Sequence, residues 1–365
     1  MLSPCFRTVK TMKKRIGFTG IIAALWGAAL LCGPLLRPTD SCAGQSEAAL
    51  TPSPVSRPAA DSPSGTMRIY MIDVGQGDSA LVIFPDNRTM LIDAGERESA
   101  PHIIDLLKRL GIRTLDFLVA SHGNPDHTGG FARLIAEGYT GSSTTAYSWS
   151  NRECDGITWH RVKPGDVLHV SAGATVTCYA IGSRVVGGAY VVPERNINAR
   201  SMVLNIKYRG FDYLSGGDLT GSGNHPNVED PVGDALARAG VEIDVYKVHH
   251  HGSRYSSNLY FLRKIMPEFA MISMGDDNPF GHPTRAVLKR LNDPGVHVTR
   301  IFQTESGDGA TAPNVTVAHG QIVVTTDGVT YRFAGEGPGS TPFSYGPYPV
   351  DEFAGSWPMF RRRNS

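Results

Sequence analysis

The chain has 365 residues, 35 Lys and Arg against 34 Asp and Glu, a formal net charge of +1, and 41% hydrophobic residues. That length suits two average domains or one large α/β sandwich, and the composition is that of an ordinary globular protein. Near-neutrality excludes a strong global field steering the whole surface to an anionic polymer, so a nucleic-acid substrate would need a local basic groove.

The first residues read as a leader rather than as fold. Lys10, Lys13, Lys14 and Arg15 form a basic segment, Ile16 to Leu36 is a mostly apolar run, and Ser41-Cys42-Ala43 offers small residues for cleavage before Gly44. Residues 1–43 are therefore expected to be a signal peptide, or a membrane anchor if uncleaved. The expected location is exported: periplasmic, in the cell envelope or extracellular. Any membrane contact would come only through this segment. Cys5, Cys32 and Cys42 lie in the leader, leaving Cys154 and Cys178 as a disulfide or as two buried thiols.

Residues 44–66 are rich in Ala, Ser and Pro and poor in large apolar side chains, so they read as a disordered linker. The folded part is expected at 67–334. Arg68 to Val74, Ser79 to Phe84 and Thr89 to Ile92 read as an antiparallel meander. His102 to Leu110 has helical periodicity ending at Gly111, Leu115 to Ala120 is a buried strand, and Phe131 to Glu137 is a helix. Tyr139 to about Asn198 is less regular, with strand-like pieces at Val167 to Val170 and Ala174 to Ala180.

Ser201 to Tyr208 and Asp212 to Ser215 form an expected hairpin. Val232 to Ala239 follows as a helix with Pro231 in its first turn. Then come strand Ile243 to Val248, helix Asn258 to Ile265, strand Phe269 to Met274, helix Thr284 to Leu291, and strand Arg300 to Thr304. The last hairpin, Gln321 to Phe333, turns at Asp327-Gly328, a pair that favours a type I′ turn. The tail, 335–365, reads as irregular. The order predicts an α/β fold, an αββα sandwich of two mixed sheets with helices outside.

Four places carry chemistry. His122, Asn124, Asp126 and His127 follow an apolar strand in a loop stiffened by Pro125, and imidazole and carboxylate are the ligand types of zinc, manganese and iron. Asp218 follows Gly216-Gly217 after a hairpin strand. His249-His250-His251 ends another apolar strand, and several imidazoles together are poorly explained by packing. His282, in Gly281-His282-Pro283, is a fourth and isolated candidate. Alternatives are ordinary turn chemistry for Asp218 and a solvated polar turn for the triplet.

Over Arg68 to Phe333 the chain resembles the metallo-β-lactamase superfamily, and most nearly the hydrolase domain of ComEC-type competence proteins. The resemblance rests on Asp73-Val74-Gly75-Gln76-Gly77-Asp78-Ser79, Leu91-Ile92-Asp93-Ala94-Gly95, Ser121 to Gly130, Gly217-Asp218-Leu219, Lys247-Val248 with His250-His251-Gly252-Ser253, and Gly281-His282-Pro283. The membrane channel segments of full-length ComEC-type proteins have no counterpart here, so the resemblance implies a free-standing, exported relative.

It also implies one or two divalent metal ions, zinc or manganese. His122 would serve one site, Asp126 and His127 the other, with Asp218 bridging and His250 or His251 adding a ligand. Asn124 stands where ComEC-type proteins usually carry Asp, which leaves one site poor in ligands. His160 and His169 lie in the interval where the superfamily often supplies a further histidine but lack its context; the stretch Asn196-Ile197-Asn198 resembles the ComEC pattern there instead. Asp126 and Asp218 are the expected catalytic carboxylates. Asp78, Asp93, Ser253 and His282 are candidates to orient the ligands, and Ser253 and Lys247 to hold an anionic group.

The expected function is hydrolysis by metal-activated water, with phosphodiesters favoured: DNA or phosphorylated envelope components. The alternatives are a β-lactam or other ester or amide hydrolase of the same fold, and a degenerate, non-catalytic binding module of the envelope.

Overall fold

A computed structural model describes residues 65–350 apart from 151–153, 194, 277, 297, 308 and 309. The expected leader, most of the linker and the end of the tail lie outside the described residues. Among the described residues, no helix is long and apolar enough to cross a membrane.

The chain builds its sheets one after the other. Six strands come first: β1 (Met67–Met71), β2 (Ala80–Ile83), β3 (Thr89–Ile92), β4 (Phe117–Val119), β5 (Thr145–Ser148) and β6 (Trp159–Arg161). The next nine are β7 (Val167–Leu168), β8 (Thr175–Ile181), β9 (Arg184–Val185), β10 (Val203–Tyr208), β11 (Phe211–Ser215), β12 (Val245–Lys247), β13 (Phe269–Ile272), β14 (Arg300–Gln303) and β15 (Val315–Val317). Three more return to the first sheet: β16 (Gln321–Thr326), β17 (Thr330–Glu336) and β18 (Ser344–Pro349).

The first sheet runs β18-β17-β16-β1-β2-β3-β4-β5-β6; the second runs β15-β14-β13-β12-β11-β10-β8-β7, with β9 on β8. Both are mixed. In the first, pairing turns from antiparallel to parallel at β3–β4, and in the second at β11–β12. Each change occurs where a helix-bearing connection begins, because parallel neighbours need a crossover. The connections carry α1 (Ala100–Arg109), α2 (Pro125–Thr128), α3 (Phe131–Ala136), α4 (Glu229–Arg238), α5 (Leu259–Ile265) and α6 (Arg285–Leu291).

Three layers of apolar contact follow from strand alternation. In β1, Met67, Ile69 and Met71 point into the core between the sheets, where they join Phe269, Phe302 and Phe333. Tyr70, on the other face, packs with Ile103, Leu107 and Phe131 from α1 and α3. The outer face of the second sheet packs Leu214 and Tyr246 on Val232, Leu236, Phe261 and Leu288 from α4, α5 and α6. The αββα sandwich expected from the sequence is thus the observed architecture.

Two expectations are corrected and one open alternative is decided. The tail is not wholly irregular: β18 pairs antiparallel with β17, so the sheet runs past residue 334. Pro347 and Pro349 are tolerated because β18 is an edge strand, and the flanking aromatics pack inward, Phe343 stacked and Tyr345 tilted on Phe302, and Tyr348 tilted on Phe269. The β16–β17 turn is not type I′, since Gly328 but not Asp327 has positive φ. Instead the Asp327 carboxylate accepts from the backbone N–H groups of Val329 and Thr330 in a longer loop. Cys154 and Cys178 are not bonded to each other. Cys178 is buried between the sheets and Cys154 packs at the outer face of the first, so an intervening layer separates them. Burial also pushes the Cys178 thiol up, away from the reactive thiolate.

Phe302 is fully buried and stacks on Phe333 at 4.3 Å. Phe302→Ala should lower unfolding free energy by about 3–5 kcal/mol in chemical denaturation. A loss below about 1 kcal/mol would show that the β14–β18 aromatic cluster is not a stability centre.

Candidate metal centre

Four connections bring the polar side chains together: β4 to α2, β11 to α4, β12 to α5, and β13 to α6. In the first, β4 leads directly to Ser121-His122, and α2 begins at Pro125, whose missing N–H costs nothing at a helix start. Asn124 caps that helix with its backbone only, so its side chain is free to turn elsewhere. In the second, Gly217 takes φ +51°, and a Cβ there would lie 2.5 Å from Ser121 Oγ. Only glycine allows Asp218 so close to the His122 loop.

In the third connection His250 and His251 both adopt left-handed backbone, φ 53° and 51°. Two consecutive non-glycine residues there carry strain, of order 1–3 kcal/mol each, and such strain clusters at functional sites. The sharp turn separates the triplet. His249 points away: it is buried and its Nδ1 donates to Glu229 at 2.8 Å, where that carboxylate also accepts from Ser257 and Asn258 N–H groups. His250 and His251 face Asp218.

The Asp218 carboxylate is the hub. Its Oδ1 lies 3.2 Å from His127 Nε2 and 3.5 Å from His251 Nε2. Its Oδ2 lies 3.5 Å from His250 Nε2 and 3.8 Å from His122 Nε2. Asp126 Oδ2 completes the first group, 3.3 Å from His251 Nε2 and 3.7 Å from His127 Nε2.

The other ring nitrogens are fixed from behind. His127 Nδ1 donates to Asp93 Oδ2 at 2.7 Å, and His251 Nδ1 donates to the Ser273 carbonyl at 3.0 Å. Ser121 Oγ donates to Asp93 Oδ2 at 2.6 Å and so is left to accept from His122 Nδ1, 3.1 Å away. Each arrangement places the proton on Nδ1 and leaves the Nε2 lone pair aimed at Asp218, as metal-ligating histidines require.

Those lone pairs have no protein partner. His122 Nε2, His127 Nε2, His251 Nε2 and Asp218 Oδ1 are all buried without a hydrogen bond. One unpaired buried acceptor is costly; four gathered around the two oxygens of one carboxylate fit divalent cations. Asp78, His127, Asp218 and His251 also bring ligand atoms within 4.8 Å of one another. Asp78, however, stands on the Nδ1 side of the rings, 3.7 Å from His127 Nδ1 and 3.5 Å from His251 Nδ1, and is bound by Lys247 Nζ. Its place is behind the ligands, holding them, while Asp126 faces the Nε2 side.

The electrostatics agree. Burial, followed by the neighbouring His127 charge, drops the His122 imidazole to about 3. Burial alone would lower His127 and His251 too, but Asp218 with Asp93 for the first, and Asp218 with Asp78 for the second, raise both. For Asp218 and Asp126, burial is likewise outweighed by facing histidines; Asp218 is held well below the usual range and Asp126 at about 2. The carboxylates thus favour positive charge in the pocket, either a proton on His127 and His251 or a cation that takes the proton's place.

An open cleft of about 740 Å³ lies over it, lined by Gln76, Glu96, Asn124, Asp126, Asn198 and His282 among others. His282 is close, its ring 5.5 Å from His250, and burial, with His251 and His250 beside it, holds it neutral at about 3. Two expectations fail here, and one choice left open is widened. Lys247 cannot hold an anionic substrate, being buried against Asp78 and the Gly217 carbonyl. Ser253 is buried in its turn, where its Oγ accepts from Tyr255 N–H, and does not line the cleft. His250 and His251 both reach the centre, rather than one of them. His160, on β6, and His169, just after β7, are exposed. Asn198, Gln76, Glu96 and Phe280 were not singled out as site residues from sequence. The Asn196-Ile197-Asn198 stretch and the Asp73-to-Ser79 motif that contains Gln76 gave a signal; Glu96 and Phe280 carry no motif.

Residues 72–141 match the family model described as the metallo-beta-lactamase superfamily. The chain is 29% identical over 262 residues to "ComE operon protein 3" of Bacillus subtilis (strain 168), covering 64% of this chain and 32% of that protein. It is 29% identical over 248 residues to "Competence protein ComA" of Neisseria gonorrhoeae, covering 65% and 31%. The chain thus spans about a third of the length of these curated relatives. Among solved structures it is similar to the metallo-beta-lactamase fold protein YhfI from Bacillus subtilis, at 12% identity and TM-score 0.43, covering 66% of this chain and 98% of that one. It is also similar to Igni18, a metallo hydrolase from Ignicoccus hospitalis, at 14% identity and TM-score 0.44, covering 71% and 98%.

Asp93 accepts from Ser121 N–H with one oxygen and from Ser121 Oγ and His127 with the other. Asp93→Asn must turn an amide donor toward at least one of these donors. Metal affinity should fall about 10–100-fold with the fold intact; an unchanged dissociation constant by equilibrium dialysis would remove Asp93 from the centre.

Proposed function

We propose that this chain, which carries a metallo-β-lactamase domain with ComEC-type relatives, is a metal-dependent hydrolase acting on phosphodiesters. The observation that carries the reading is the convergence of unpartnered Nε2 atoms and two carboxylates beneath an open cleft. His122, Asp126, His127, Asp218, His250 and His251 would hold one or two divalent ions, zinc or manganese. Such an ion lowers the pKa of bound water from about 16 toward about 7, which supplies a nucleophile at neutral pH.

The chain's own residues do the rest. Asp126 is partly exposed to the cleft and anionic at neutral pH, so its carboxylate is placed to orient a water or accept its proton. Asp218 is buried and fixes the histidines relative to one another. His282, neutral and at the cleft wall, offers a hydrogen-bonding ring that does not repel a cation. Phe280, 65% exposed and stacked on His282 at 5.8 Å, gives the cleft an apolar wall beside the charged floor. That combination suits a substrate with an anionic reacting centre and an adjoining flat or apolar group, such as DNA or a phosphorylated envelope component. β-Lactam or other ester hydrolysis is the competing use of the same floor.

Purified protein should carry zinc or manganese by mass spectrometry and hydrolyse bis-p-nitrophenyl phosphate, with His127→Ala slower by at least about 100-fold. Equal rates for wild type and variant would exclude this centre as the catalyst. Parallel assays with DNA and a β-lactam decide the substrate class, and faster β-lactam turnover would overturn the phosphodiester reading.

Export belongs to the same proposal. Expressed in a bacterial host, the chain should be recovered outside the cytoplasm with its N-terminus at Gly44; an intact leader there would instead indicate an anchor.

A further inference from the structure

The candidate centre is unequal on its two sides. Facing Asp218 Oδ1 are the Asp126 carboxylate and two imidazole nitrogens, His127 Nε2 and His251 Nε2, both unpartnered. Facing Asp218 Oδ2 are His122 and His250, with no second carboxylate. His122 Nε2 is unpartnered, but His250 Nε2 accepts a hydrogen bond from Asn198 Nδ2 at 3.3 Å. Asn198 is held in that orientation because its Oδ1 accepts from Asn124 Nδ2 at 2.6 Å. Asn124 thus orients Asn198, whose amide N–H occupies the His250 lone pair on this side, and an N–H donor cannot ligate a cation.

We infer that the two sides take divalent cations in order: the Asp126 side first and tightly, the His122 side second and weakly, with Asn198 as the positioning residue that occupies the His250 lone pair. The inference rests on the metal-centre reading above. Two carboxylates with two free imidazoles make the first side the stronger cation site, and the second side offers the shared carboxylate, the free imidazole of His122 and the occupied one of His250. A second cation must also approach the first across one carboxylate, so its binding is opposed by like charge. Neither effect requires a change in the fold. Both follow from what Asn124 and Asn198 present.

The test is equilibrium dialysis and calorimetry of the full chain, stripped with chelator, against manganese and separately zinc. Cobalt absorption serves as a second readout of coordination. Wild type should bind one ion tightly and a second at least about tenfold more weakly. Asn124→Asp should strengthen the second step by at least about tenfold and leave the first unchanged. Asn198→Ala should also strengthen the second step, by freeing His250. The first step, together with circular dichroism, reports whether each variant is folded, and either variant alone suffices.

Two ions of equal affinity in wild type would overturn the ordering. A second step unmoved by Asn124→Asp would overturn the amide explanation, and one weakened by Asn198→Ala would make Asn198 a ligand rather than a block. Binding of no ion at all by wild type would sink the metal-centre reading itself, which is a distinguishable result.

Discussion

Everything around the site is arranged to keep a set of imidazole lone pairs dry and pointed at one carboxylate. Burying a polar atom without a partner costs about 1–3 kcal/mol, and more when it is charged. The surrounding structure accepts that cost several times within a few ångströms of Asp218. It also accepts left-handed backbone at Asp93, His250 and His251. No packing gain explains these choices, because the rings touch each other and the carboxylates rather than the aliphatic core. They make sense together only if a cation satisfies the lone pairs that the protein leaves open.

The neighbouring buried charges show what the protein does when it wants such groups settled. Lys247 is matched to Asp78, and His249 to a Glu229 that accepts three donors. These pairs sit directly behind the centre and leave no acceptor of Glu229 without a donor. Each of these pairs has one direct charge partner, although His249 Nε2 and Asp78 Oδ1 are left without a hydrogen bond; the groups in front differ in having their free atoms gathered around one carboxylate. That difference also explains why His249, adjacent in sequence to two centre residues, is not one of them.

Much of this was legible in the sequence, for particular physical reasons. Strand alternation and apolar runs announced the sandwich, and His122, Asp126, His127 and Asp218 stood at strand ends where a loop can gather them. What could not be read was direction. Nothing in His249-His250-His251 says which ring turns inward, since that is decided by two φ angles and by Glu229, 20 residues away. Lys247 looked available to a substrate because its partner Asp78 is 169 residues distant. The tail looked irregular because Gly and Pro dominate it, although an edge strand tolerates both. Asn198 carried its meaning only through Asn124, 74 residues earlier.

The Lys247–Asp78 contact has one more consequence. It joins the turn after β1, in the first sheet, to the end of β12, in the second. Its partners meet only when the 169-residue separation between them has been closed into a loop, which precedes any reward from the contact. The centre in front of it is assembled from residues 93 to 282 under the same constraint. Capture of an ion there would act as a latch, open to the ion only once those residues have been gathered. A bound ion at 100 times its dissociation constant would hold the latch with about 2.7 kcal/mol. Availability of metal would then govern not only what the protein does but how long it stays folded.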